Sequence, residues 1–234
     1  MLFIHENLKI TEVQKEVLVG CLSIASIIGS LIGGKTPDVI GRKWTMEIGA
    51  IVFQIGGFIT TIAPSFSMLM AGRLLSGVGI GLGATVMRVY IAEISPASSR
   101  GFLTSFPETY INLGILLGYV SNYSFSGLPI NINWRIMLAL GIFPSVIIGF
   151  ALFGIPESPR WLVLQNKVEE ARSILIRTIG DEKEVKERLA EIQQAVEMSN
   201  SITPKEKAVW HELLRPNPTF CKMLVIGVGM ECFQ

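Results

Sequence analysis

The chain has 234 residues, of which 50% are hydrophobic and 17% charged, and its formal net charge is +1. That balance is too apolar for an ordinary soluble domain of this length, and the near-neutral charge excludes the basic footprint of a nucleic-acid binder. An integral membrane protein, with the lipid bilayer as its surroundings and no nucleic-acid partner, is the class that remains.

The opening stretch MLFIHENLKITEVQKE lacks the basic and apolar regions of a signal peptide, so no part of it is expected to be removed. Five complete spans follow at about 13–34, 44–63, 67–94, 102–122 and 134–154, each long enough to cross hydrocarbon as a helix. The organisation read from them is an external segment over 1–12 and five transmembrane helices over 13–155. A helical linker over 156–219 and the start of a further transmembrane helix over 220–234 complete it. Loops 35–43, 95–101 and 155–222 share one side and carry 15 of the 20 lysines and arginines. The positive-inside rule makes that side cytoplasmic and residues 1–12 external.

The third span, with its flanks, runs GRLLSGVGIGLGATVMRVYIAEISPASSRG over 72–101. At 100° per residue Arg73, Gly77, Gly81, Ala84 and Arg88 share an arc of about 80°. One face is therefore small and cationic. Gly77 and Gly81, with Gly79 and Gly83 offset, give overlapping GxxxG spacings that let neighbouring backbones approach closely. No strand precedes these glycines, which excludes a dinucleotide-binding turn. An arginine inside such a span costs roughly 2.5 to 3.5 kcal/mol on insertion scales, so it normally faces protein or water and has a partner. Arg73 is thus a functional candidate, with snorkelling to the interface as the alternative reading. Arg88 has no evident carboxylate nearby, since Glu93 lies about 140° around the helix. The expectation is an unpaired guanidinium that weakens the packing.

The fourth span carries Glu108, Asn112, Tyr119 and Asn122 along one arc, a polar stripe in an apolar helix. Such side chains suit a polyhydroxylated ligand, and they suit interhelical hydrogen bonds equally. Residues 167–198 read as two amphipathic helices separated by Gly180 and Asp181. The second has Val185, Leu189, Ile192 and Val196 on one stripe, and Glu182/Lys186 and Glu184/Arg188 at ion-pair spacing. Cys21, Cys221 and Cys232 have neither paired nor metal-ligand spacing, so no disulfide, metal site or cofactor is expected. No nucleophile and base pair appears within a span, and no catalytic residue is assigned. A last apolar run starts at Met223 and stops at Gln234, short of the roughly 20 residues a crossing needs, so a fragment is expected.

Four motifs in order now point to a family: Asp38-Val-Ile-Gly41-Arg42-Lys43, Gly72-Arg73, Glu93 ahead of Ser95-Pro96 and Arg100-Gly101, and Pro156-Glu157-Ser158-Pro159-Arg160-Trp161-Leu162. The chain resembles the sugar porter family of the major facilitator superfamily, and SSRGFLTSFPETYINLGILLGYVSN looks most like the plant polyol/monosaccharide transporters. The resemblance implies an all-α membrane protein and a partial major facilitator fold. It would hold the second to sixth of twelve helices, the cytoplasmic helical segment and the start of the seventh.

It also implies roles for named residues. Asp38, Arg42, Glu93, Arg100, Glu157 and Arg160, with Lys43 as the loop motif's last cation, match charges that latch cytoplasmic helix ends together in the outward-facing state. Arg73 matches an arginine that proton-coupled members pair with an aspartate on the first helix, which this chain lacks. Glu108 stands where many sugar porters have a substrate-binding glutamine, and Asn112 extends that stripe. Gln234 falls on the first glutamine of the family's FQQ motif, although Glu231 replaces a usual histidine nearby. Met87-Arg88-Val89-Tyr90 replaces the branch's A-P-V-Y, which removes a kink and adds a buried cation. The implied function is symport of polyols or monosaccharides with protons, in the plasma membrane. Facilitative uniport and a truncated product that does not transport remain as alternatives.

Overall fold

The computed structural model describes residues 11–96, 99–125, 127, 130–180 and 182–202, the side chains of 130–134 and 199–202 excepted. Gln234, Cys221, Cys232 and the start of the further helix over 220–234 lie outside the described residues, as does most of the external segment.

The described elements are all helical: α1 (Glu12–Ile40), α2 (Arg42–Ile62), α3 (Phe66–Ile94), α4 (Arg100–Ser124), α5 (Ile130–Gly154), α6 (Pro159–Leu164), α7 (Val168–Ile179) and α8 (Glu182–Ile202). The chain divides into two compact units, Met1–Lys186 and Glu187–Gln234. The charge cluster, the Arg73 cavity and the Arg88–Glu108 pair all lie in the first. In the second, Arg188 pairs with Glu191 at 2.9 Å, one turn on.

α1 begins in a capping box, where Thr11 Oγ1 accepts from Gln14 N–H and Gln14 Oε1 accepts from Thr11 N–H. It then runs six residues past the expected end of the first span. Pro37 sits in its last turn, and the helix stops only at Gly41, whose φ of 109° is closed to most side chains. Segment 35–43 is therefore helix and a sharp corner rather than a loop. The corner is tight as well, because a Cβ on Gly41 would lie 2.5 Å from Glu157 Oε2.

α4 and α5 each hold a proline, Pro107 and Pro144. α5 starts at residue 130, inside what the sequence reads as a loop. In α6, Pro159 takes the first helical position, where its missing N–H costs nothing. α7 ends at Gly180 in the left-handed conformation, at the expected boundary between the two amphipathic helices.

Among the described residues four helices are long and apolar enough to cross a membrane: Glu12–Ile40, Arg42–Ile62, Phe66–Ile94 and Arg135–Gly154. The 25-residue α4 has the length, but its polar stripe keeps it out of that set. Large exposed side chains such as Ile27, Leu31, Phe58 and Ile147 cover the outer faces, as a lipid-facing surface requires.

α3 lies at the centre because its glycines admit two neighbours at backbone distance. A Cβ on Gly77 would meet Leu22 O of α1 at 2.6 Å, and one on Gly79 would meet Phe53 N of α2 at 2.6 Å. Gly81 is closer still to Ser26 O. Gly83 meets nothing within 4 Å, so the second of the two offset spacings is not a packing motif throughout. Small apolar clusters close the two ends of this packing. Leu18, Ala63 and Leu69 form one, and Met46, Val86, Tyr90 and Leu152 the other.

Candidate functional site

Where α1 turns into α2, Arg42 points inward and its side chain is 6% exposed. Its Nε and Nη2 donate to Glu93 Oε2 and Oε1 at 3.1 and 3.2 Å, a two-pronged pair across to α3. Nη1 donates to Pro37 O at 2.9 Å, and Nη2 also lies 3.0 Å from Asp38 Oδ1. Glu93 is 8% exposed and accepts a further bond from Ser158 Oγ at 2.5 Å. A buried arginine survives here because each guanidinium nitrogen has an acceptor.

Glu157 completes this cluster from the other side. Its Oε1 accepts from the N–H groups of Arg42, Lys43 and Ser158 at 2.9, 3.0 and 2.9 Å. Those first two amides open α2, so a carboxylate caps a helix N-terminus that has no side-chain cap of its own. Lys43 Nζ donates to Phe153 O at 2.8 Å, Trp161 Nε1 to Asp38 O at 3.2 Å, and Tyr90 Oη to Pro156 O at 2.8 Å. The ends of α1, α2, α3 and α5 and the start of α6 are thereby tied together.

Five of the seven charges expected at this end, Asp38, Arg42, Lys43, Glu93 and Glu157, come together. Arg100 and Arg160 do not join them. Arg100 Nε and Nη2 are buried without a hydrogen-bond partner among the described residues, and Arg160 is exposed. Ser158, Tyr90 and Trp161 enter the cluster although the sequence reading gave them no role; Ser158 and Trp161 stand within or beside quoted charges, which is the signal available.

Arg73 lies elsewhere on α3. It borders a cavity of about 210 Å³ between α1, α2, α3 and α5, with Leu22, Phe53, Thr60, Ser76 and Met137 among its lining. Its Nε is buried and has no hydrogen-bond partner among the described residues. The arginine thus faces a protein cavity, not a snorkelling position at the surface.

The expectation of an unpaired Arg88 is overturned. Arg88 Nη2 lies 2.7 Å from Glu108 Oε1, with side-chain exposures of 49% and 43%. The partner comes from α4, 20 residues along the chain, and not from Glu93, which is engaged by Arg42. Glu108 is therefore not a free carboxylate. Farther along α4, Asn112, Tyr119 and Asn122 are all exposed on the same arc.

This fold and these charges define a class. The chain belongs to the sugar (and other) transporter family, whose profile matches residues 4–234. It is 60% identical over its whole length to the "Probable polyol transporter 4" of Arabidopsis thaliana, covering 44% of that protein. It is 33% identical, again over its whole length, to the "Glucose transporter GlcP" of Staphylococcus epidermidis, covering 50% of it. Among solved structures, the proton:xylose symporter XylE bound to 6-bromo-6-deoxy-D-glucose matches with a TM-score of 0.79 and 27% identity, over 86% of this chain and 48% of that one. XylE from E. coli in a partially occluded inward-open conformation matches at 0.73 and 30%, over 80% and 49%. The fold is accordingly part of a major facilitator fold, in a membrane protein whose relatives are transporters and not enzymes. The chain spans about half the length of the curated relatives it matches.

Proposed function

We propose that these residues form one half of a secondary transporter for polyols or monosaccharides, which works by alternating access as a proton symporter in the plasma membrane. The observation that carries this reading is the 60% identity, across every residue of the chain, to a relative described as a polyol transporter. The stripe of half-exposed Glu108 and exposed Asn112, Tyr119 and Asn122 supports it, because it offers hydroxyl-binding groups along one face of α4. Gln234 joins that ligand set by family position alone.

In this reading Arg73 acts in proton coupling, with a carboxylate from the helix that precedes α1 in the family. The buried Nε on a cavity wall supports that role, since a guanidinium so placed favours an anionic neighbour. The cluster of Asp38, Arg42, Lys43, Glu93 and Glu157 holds the cytoplasmic ends of the helices, and Arg100 and Arg160 engage the other half.

The test is uptake of labelled sorbitol and labelled glucose by transporter-deficient yeast expressing the full-length protein. Uptake that collapses with a protonophore is expected; uptake indifferent to the protonophore would leave a uniporter, and none of either sugar would sink the reading. Residues 1–234 expressed alone are expected to give no uptake, because they supply one wall of a site that lies between halves.

A further inference from the structure

The Arg88–Glu108 pair lies well along both helices, away from the ends that the α3–α4 turn joins. At 1.5 Å per residue Arg88 is about 9 Å from the end of α3 and Glu108 about 12 Å from the start of α4. Both side chains are nevertheless nearly half exposed. A charge turned to lipid costs roughly 2.5 to 3.5 kcal/mol, so the open side of this pair belongs to protein or to water. Asn112, Tyr119 and Asn122 continue the same open side along α4. The pair therefore begins a polar track that faces away from lipid.

Within the pair, Arg88 approaches Glu108 Oε1. An ionised carboxylate only accepts hydrogen bonds, whereas a glutamine in its place both donates and accepts. A cation against one oxygen fixes the torsion of the carboxylate and leaves the other oxygen directed elsewhere.

We propose that Arg88 is a positioning and specificity-determining residue: it holds Glu108 as an oriented, acceptor-only group that receives a hydroxyl from a neutral polyhydroxylated ligand. The assignment rests on the transport reading above and adds a selection rule to it. Ligands must bring a donor to this point, so a deoxy analogue lacking that hydroxyl, or a sugar acid bringing a carboxylate, binds poorly.

The test uses the full-length protein with labelled sorbitol as probe, reading KM, turnover per copy and the melting temperature in detergent. Arg88→Gln and Arg88→Met are each expected to raise KM by about tenfold while turnover stays near that of the unsubstituted protein. Arg88→Lys keeps the charge and is expected to return KM to within about threefold. The reversed pair, Arg88→Glu with Glu108→Arg, separates orientation from mere attraction. It is expected to restore the melting temperature and to leave KM raised, because it no longer presents an acceptor from α4. Recovery of KM by the reversed pair would make the contact a simple tie between helices and overturn the proposal. Unchanged KM in both Arg88→Gln and Arg88→Met would overturn it while uptake by the unsubstituted protein preserved the transport reading. Absence of uptake by the unsubstituted protein would remove both.

Discussion

Arg42 and Arg88 each bring a guanidinium from one helix to a glutamate on another, yet the two contacts are built differently. Arg42 and Glu93 are buried, joined by two hydrogen bonds, and flanked by Asp38, Pro37 O and Ser158. Arg88 and Glu108 meet through a 2.7 Å contact and stay nearly half exposed. A buried and fully engaged pair is costly to break and has no surface left for a ligand. A half-exposed pair contributes little to stability and keeps oxygen surface available for exchange. The same two residue types thus make a fixture at one end of the bundle and an addressable group on its open side.

The largest effect is expected at the fixture. Glu93→Gln takes away the buried counterion of Arg42 and leaves only the largely exposed Asp38, and a loss of about 3 to 5 kcal/mol is expected in detergent unfolding of the purified protein. Gly41→Ala comes next, since it forces a side chain onto a φ of 109° and against Glu157 Oε2. About 1 to 3 kcal/mol should be lost, and a variant as stable as the parent would show that the corner is not held in this conformation. Arg88→Gln should cost under about 1 kcal/mol in the same assay, as a partly exposed pair does. Equal losses from Arg88→Gln and Glu93→Gln would erase the distinction between the two regions.

Four of the five expected spans, the charged motif around Gly41 and the boundary at Gly180 were legible because each is a local property. Apolar length, a glycine between charges, and a glycine between two amphipathic stripes need no knowledge of neighbours. The first span reads as ending at 34, whereas α1 continues through Pro37 to Ile40. Pro37 looks like a helix breaker, yet a proline in the last turn forfeits one backbone bond while Pro37 O gains donors from Gly41 N and Arg42 Nη1. What could not be read was the rotation of α3 against α4. Arg88 and Glu108 stand on separate helices joined by a turn, and the angle at which two apolar cylinders meet is set by packing that a single sequence does not print. Glu157 was quoted as a motif charge, but its capping of α2 depends on a return of the chain across 114 residues.

Four of the five glycines of α3 also decide where a probe can be attached. Gly77 and Gly81 press α3 against α1, Gly79 presses it against α2, and Gly83 has open space. A cysteine introduced at Gly83 would carry a spin label without displacing a neighbouring backbone, on a helix clamped from two sides. Distances measured from it would report the position of α3 with the two helices packed on its glycines, with the swing of a single side chain limited to the label itself.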